Sequence, residues 1–284
     1  MKKHYIYESS GKPINGSILK NIEDLKTRVQ QNNKAAVIII DGGVGEGKTT
    51  LAVHLADEYQ NAEIDLEKQY AFGGIEFAAK LEKCFNERLP VVIYDEGGDF
   101  TKRQALSGFN KNMLRLFEVF RAFGIMVIVV LPNFSVLDEH LFNLKLPRML
   151  LNCHNRSNRS GNYRAYSLKR MMYIKEFMKK NVIKEKAYKV IQPNFRGHFL
   201  DLPKDRAEKL NKICLKGKLG IVSEGILRDQ GLLNLKEISK RIGKSPQYCY
   251  QMLKKLNIEP EHKIGKTGYF PDYCIESIKG LMSR

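Results

Sequence analysis

Residues 35–49 read Ala35-Ala36-Val37-Ile38-Ile39-Ile40-Asp41-Gly42-Gly43-Val44-Gly45-Glu46-Gly47-Lys48-Thr49. The first six are apolar and mostly β-branched, with no alternation, as in a strand covered on both faces. The last eight, Gly42 to Thr49, match G-x-x-x-x-G-K-[ST] at every fixed position. Thr50-Leu51-Ala52-Val53-His54-Leu55-Ala56 then reads as a helix with an apolar face. Strand, glycine loop and helix in this order make a cradle for anions. The glycines let successive amides turn toward phosphate oxygens, beside the positive end of the helix. Gly43, Val44, Gly45, Glu46, Gly47, Lys48, Thr49 and Thr50 are expected to line it. Lys48 would reach the β- and γ-phosphates of ATP, and the Thr49 hydroxyl would ligate Mg²⁺.

Such a loop needs a second strand that carries a carboxylate toward the metal. Pro90-Val91-Val92-Ile93-Tyr94-Asp95-Glu96 supplies an apolar strand ending in two acids. Asp95 is expected to hold Mg²⁺ through its water shell, and Glu96 to take a proton from the attacking water. A third strand is expected at 124–131, after a helix of about 105–123. It leads into Pro132-Asn133-Phe134, where Asn133 could sense the γ-phosphate or hold the attacking water. Arg103, Arg115 and Arg121 lie between the second and third strands, and Arg121 is the first choice for an arginine that completes a neighbouring copy's site.

On these residues the chain resembles the additional-strand P-loop ATPases. Gly42 to Thr49, Val91 to Glu96, and the stretch from Arg103 to the strand 124–131 are most similar to the HerA/FtsK division, including the zonular-occludens-toxin-like proteins of mobile elements. The resemblance spans roughly residues 30–155. It implies a RecA-like parallel sheet, ATP hydrolysis with Mg²⁺, assembly into a homo-oligomer such as a hexameric ring, and motor or switch work on DNA for a virus, plasmid or other mobile element. Two features depart from it. No apolar run follows the ATPase stretch at membrane-spanning length, and Leu131-Pro132-Asn133 stands where the family commonly has Thr-Gln.

Charge divides the 284 residues unevenly. Residues 1–140 hold 17 Lys and Arg against 19 Asp and Glu, while the remainder hold 31 against 12. Residues 141–200 alone carry 14 basic and 2 acidic side chains. An imbalance of this size over half a chain points to a polyanion, double-stranded DNA before a membrane. The five cysteines are odd in number and never spaced C-x-x-C, which argues against a disulfide framework and for a cytoplasmic, reducing setting.

Within the basic half, residues 148–168 read as a β-hairpin with a basic, Asn- and Ser-rich tip. Lys169 to Lys189 reads as an amphipathic helix, with Met171, Met172, Ile174, Phe177 and Met178 on its apolar face. Residues 192–202 read as an irregular connector, followed by a short helix to about Lys216 and a linker, Lys216-Gly217-Lys218-Leu219-Gly220. The expected division is thus an ATPase domain over 1–216, with 141–216 as its basic extension, and a small domain over 221–284. In the latter, a helix from Leu235 stops at Gly243. Ser245 and Pro246 then open a second helix that ends near Leu256. Lys263 to Phe270 reads as a basic hairpin. Helix, glycine turn, helix and hairpin form the pattern of a winged helix-turn-helix, with Lys244, Gln247, Tyr248, Gln251, Lys254, Lys255, Lys263 and Lys266 as DNA-contact candidates. An ATP-controlled DNA-binding regulator without motor activity, or an ATPase that acts on protein through this module, fits the same sequence.

Overall fold

A computed structural model of the chain describes residues 11–31, 36–95, 124–134, 137, 142, 145–157, 160–180, 186–229, 231–264 and 267–282. Two compact units divide between Cys214 and Leu215.

In the first unit α1 (Ile18–Lys26) and a short π-helical turn precede β1 (Ala36–Gly42), α2 (Lys48–Gln60), α3 (Leu66–Gln69), β2 (Tyr70–Phe72), α4 (Gly74–Asn86) and β3 (Val91–Asp95). The described chain resumes with β4 (Met126–Val130), β5 (Pro147–Ser157), β6 (Ser160–Ser167), α5 (Leu168–Lys180), α6 (Ala187–Val190), β7 (Phe195–Leu200) and the start of α7 (Lys204–Asp229), whose residues from Leu215 on belong to the second unit. The strands form one sheet in the order β2-β3-β4-β1-β5-β6-β7. From β2 to β5 all neighbours are parallel, whereas β6 and β7 join antiparallel. The fold is therefore α/β with a mostly parallel seven-stranded sheet. β4 lies between the glycine-loop strand β1 and the acidic strand β3.

Alternate residues of the central strands feed two cores. Ala36, Ile38 and Ile40 of β1 pack with α1 and α2 on one face, and Val37 and Ile39 pack with α4 and α5 on the other. Burial on both sides explains why β1, β3 and β4 read as unbroken apolar runs.

Three expectations are corrected here. Residues 195–200 form the strand β7 rather than an irregular connector, because Phe199 points into the core while Arg196 and His198 face outward, a period of two. The expected hairpin at 148–168 is present as β5 and β6, paired antiparallel within the central sheet, where Leu150, Leu151, Tyr163 and Tyr166 are fully buried. Its turn, 158–159, lies outside the described residues. The proposed linker at 216–220 is helical, inside α7. Two glycines cost a helix about 1 kcal/mol each, well short of the roughly 3 kcal/mol of a proline, so they weaken a helix without ending it. Met172 is 51% exposed, so the buried stripe of α5 is Met171, Ile174 and Met178. The expected helix at 105–123 lies outside the described residues.

The second unit contains β8 (Leu232–Asn234), α8 (Leu235–Ile242), α9 (Pro246–Lys255), β9 (His262–Ile264), β10 (Thr267–Pro271) and α10 (Cys274–Met282). β10 pairs antiparallel with both β8 and β9. Asn234 and Glu237 close a capping box on α8, and Gly243 ends that helix in the left-handed region at φ 73°. The Ser245 hydroxyl accepts the Tyr248 amide at 3.2 Å, and Pro246 occupies the first turn of α9. Ile238, Cys249, Leu253, Phe270, Cys274 and Ile278 form this unit's core.

Candidate active site

The loop after β1 carries its own conformational signature. Gly42 has φ 145°, and a Cβ there would stand 2.6 Å from the Cys153 carbonyl oxygen, so only glycine fits against β5. Gly47 takes φ 79° and starts α2. The first bond of that helix runs from the Leu51 amide to the Gly47 carbonyl at 2.9 Å. The amides of residues 47–50 therefore have no acceptor within the helix and face out of its positive end. Val44 is fully exposed at the loop's tip. Lys48 Nζ folds back over the loop and donates to the carbonyls of Gly42 (2.8 Å) and Gly43 (2.7 Å). Burial lowers the Lys48 pKa, opposed by the negative charge of Asp95 and Asp41.

Across the sheet, Thr49 Oγ1 donates to Asp95 Oδ2 at 2.9 Å. A hydroxyl and a carboxylate at this separation are hard oxygen donors of the kind Mg²⁺ takes. The structure thus joins two sequence motifs that lie 46 residues apart. Glu96 and Arg121 lie outside the described residues, as do Arg103 and Arg115. Asn133 is half-buried at the exit from β4, next to Phe134, whose amide donates to Asp41 Oδ2 at 3.1 Å.

Two supporting groups were absent from the sequence reading. Tyr70, fully buried on β2, donates its hydroxyl to Asp95 Oδ2 at 2.5 Å and lies 3.1 Å from Cys214 Sγ. Asp41, at the end of β1, is buried and accepts from Phe134 N–H, Asn152 Nδ2 (3.0 Å) and the Tyr188 hydroxyl. Burial raises the Asp41 pKa, with those three bonds opposing it. Asp41 therefore ties the strand before the loop to the exit of β4, to β5 and to α6. Among the described residues, no three His, Cys, Asp or Glu side chains gather as a metal cluster, and no helix is long and apolar enough to cross a membrane.

In the second unit Gln247, Gln251, Lys254 and Lys255 are exposed on α9, as is Lys263 on β9. Lys244 is exposed too, its ammonium 6.0 Å from the Tyr248 ring centre, and Lys266 lies outside the described residues. Tyr248 is corrected: it is half-buried against the unit's core, four residues before Met252 on the inner face. Tyr250, 54% exposed, is the aromatic residue that shares the outward stripe with Gln247, Gln251 and Lys254.

No family model matches the chain, and no curated protein matches it. Solved structures do match. The chain is similar to PCH-2 of C. elegans over 54% of its own length and 45% of that chain, at 14% identity and TM-score 0.33. It is similar to the N-terminal domain of zonular occludens toxin from Neisseria meningitidis over 47% of its length and 84% of that chain, at 16% identity and TM-score 0.28. It is similar to the VirB11 ATPase of the Brucella suis type IV secretion system over 61% of each chain, at 13% identity and TM-score 0.28. The chain thus spans less than half of PCH-2.

Proposed function

We propose that the chain is a Mg²⁺-dependent ATP hydrolase that works on DNA as a motor or switch of a mobile element. The observation that carries the reading is the Thr49–Asp95 contact at 2.9 Å beneath a glycine loop closed by Lys48. In this reading the amides at the start of α2 and the Lys48 ammonium hold the β- and γ-phosphates, which requires Lys48 to leave the Gly42 and Gly43 carbonyls. Thr49 and Asp95 hold Mg²⁺, which when bound offsets phosphate charge. Glu96 takes the proton of the attacking water, and Asn133 orients that water. Arg121 of a neighbouring copy completes the site in a homo-oligomer.

The DNA part of the reading draws on the second unit. Its order of β8, two helices, and the β9–β10 pair supports a winged helix-turn-helix, with α9 as the helix that enters the major groove. Gln247, Tyr250 and Gln251 face outward to read base edges, and Lys244, Lys254, Lys255, Lys263 and Lys266 meet phosphates.

Lys48→Ala removes ATP binding, measured with a fluorescent ATP analogue, because amides alone do not offset the phosphate charge. Glu96→Gln still binds the analogue but loses at least about a hundredfold in turnover, since an amide cannot accept the proton. Normal hydrolysis by the Glu96→Gln protein takes the base role away from Glu96.

A further inference from the structure

The register of β5, β6 and β7 sets six side chains into two rows on one sheet face. Asn152, Arg164 and Arg196 stand opposite one another in the first row, and His154, Asn162 and His198 in the second. The alternate residues Cys153, Tyr163 and Phe199 point into the core on the other side. Arg196 and His198 are exposed, while His154, Asn162 and Arg164 are half-buried.

Arg164 and Arg196 are directly opposite, an arrangement in which like charges destabilise a sheet. Among the described residues no carboxylate pairs with either guanidinium. Both sit in a segment, 141–200, with 14 basic and 2 acidic side chains. Neighbouring strands lie about 4.8 Å apart, and same-face residues on one strand about 6.6 Å apart. The rows thus spread positive and hydrogen-bonding groups over a rigid patch that fits two or three phosphates. The patch begins at the nucleotide loop, since Asn152 pairs in register with Asp41 and bonds its carboxylate.

We propose that this face is a sequence-independent docking surface for the phosphate backbone of DNA, with Arg164 and Arg196 as its direct anion contacts. Guanidinium forks grip phosphate in two bonds each, and an incoming phosphate relieves the repulsion between them. The proposal rests on the DNA reading above and adds a contact on the ATPase unit itself, next to the loop that holds ATP.

The test measures binding of a fluorescent duplex of scrambled sequence to the full chain over a salt series. It compares wild type with Arg164→Gln/Arg196→Gln and Arg164→Lys/Arg196→Lys. The glutamine pair should unfold at or above the wild-type midpoint, because it removes a like-charge contact, so a binding loss is not misfolding. Its affinity should fall about tenfold or more at low salt, and its log–log salt slope should shrink by about 2, near 0.9 for each phosphate released. The lysine pair should keep most of the slope. Unchanged affinity and slope in the glutamine pair, with wild type binding normally, overturn the proposal alone. So does loss of affinity for the ATP analogue without loss of DNA affinity, which would give the surface to the nucleotide. A wild-type chain that does not bind the duplex overturns the DNA reading, and this proposal with it.

Discussion

Asp95 Oδ2 takes two hydroxyl donors, Thr49 from the loop side and Tyr70 from the strand beyond. Thr49 is available to a metal, and Tyr70 holds the carboxylate from the opposite side. Partners of this kind tune metal affinity without touching the metal. Tyr70→Phe should raise the Mg²⁺ concentration for half-maximal binding of a fluorescent ATP analogue by about tenfold, with binding in chelator unchanged. Superimposable Mg²⁺ titrations would show that Tyr70 only fills space. The glycine loop and Asp95 were legible because both belong to local patterns: fixed glycine spacing, and an apolar run that ends in a carboxylate. Tyr70 was not, because its role depends on β2 pairing with β3, with Tyr70 opposite Ile93. The Tyr248 and Tyr250 exchange was legible in principle. Tyr248 lies four residues before Met252, so the helical period puts both on one face.

At the scale of elements, α2 is held by the last elements of the chain's first unit. Arg206 of α7 pairs in a two-bond fork with Asp57, one of the bonds 2.6 Å from Nη2 to Oδ1. His54 Nε2 lies 2.8 Å from the Leu200 carbonyl at the end of β7. Burial lowers the His54 pKa from 6.5 to about 4. Between those values the unfolded chain takes up a proton that the folded chain refuses. Stability from His54 is therefore complete above 6.5 and is lost as pH falls toward about 4, by up to about 3 kcal/mol. His54→Gln keeps an N–H for Leu200 and should flatten that part of the profile. Urea unfolding at about pH 7 and about pH 5 measures it, and parallel profiles for the two proteins contradict it. The strand that His54 meets was hidden from the sequence reading by Pro193 and Gly197, which look like loop residues. Gly197 sits there because the Tyr163 ring fills the space a Cβ would need. Likewise Gly217 and Gly220 suggested a linker, yet α7 runs through them.

For the whole molecule, charge and fold divide at different places. The acidic balance of 1–140 covers the loop and its strands, while the positive excess begins at β5, inside the same sheet. A DNA surface beside the nucleotide and a second one on α9 would both feed a hydrolysis rate that responds to DNA. The most direct measurement is the steady-state rate of phosphate release from Mg²⁺-ATP as duplex DNA is titrated in, with Lys48→Ala as the blank and Lys254→Ala/Lys255→Ala alongside. The account predicts a saturable rise in rate for wild type, a weaker and more salt-sensitive response in the double-lysine variant, and none in the blank. A wild-type rate no higher than that of Lys48→Ala, with or without DNA, would contradict it.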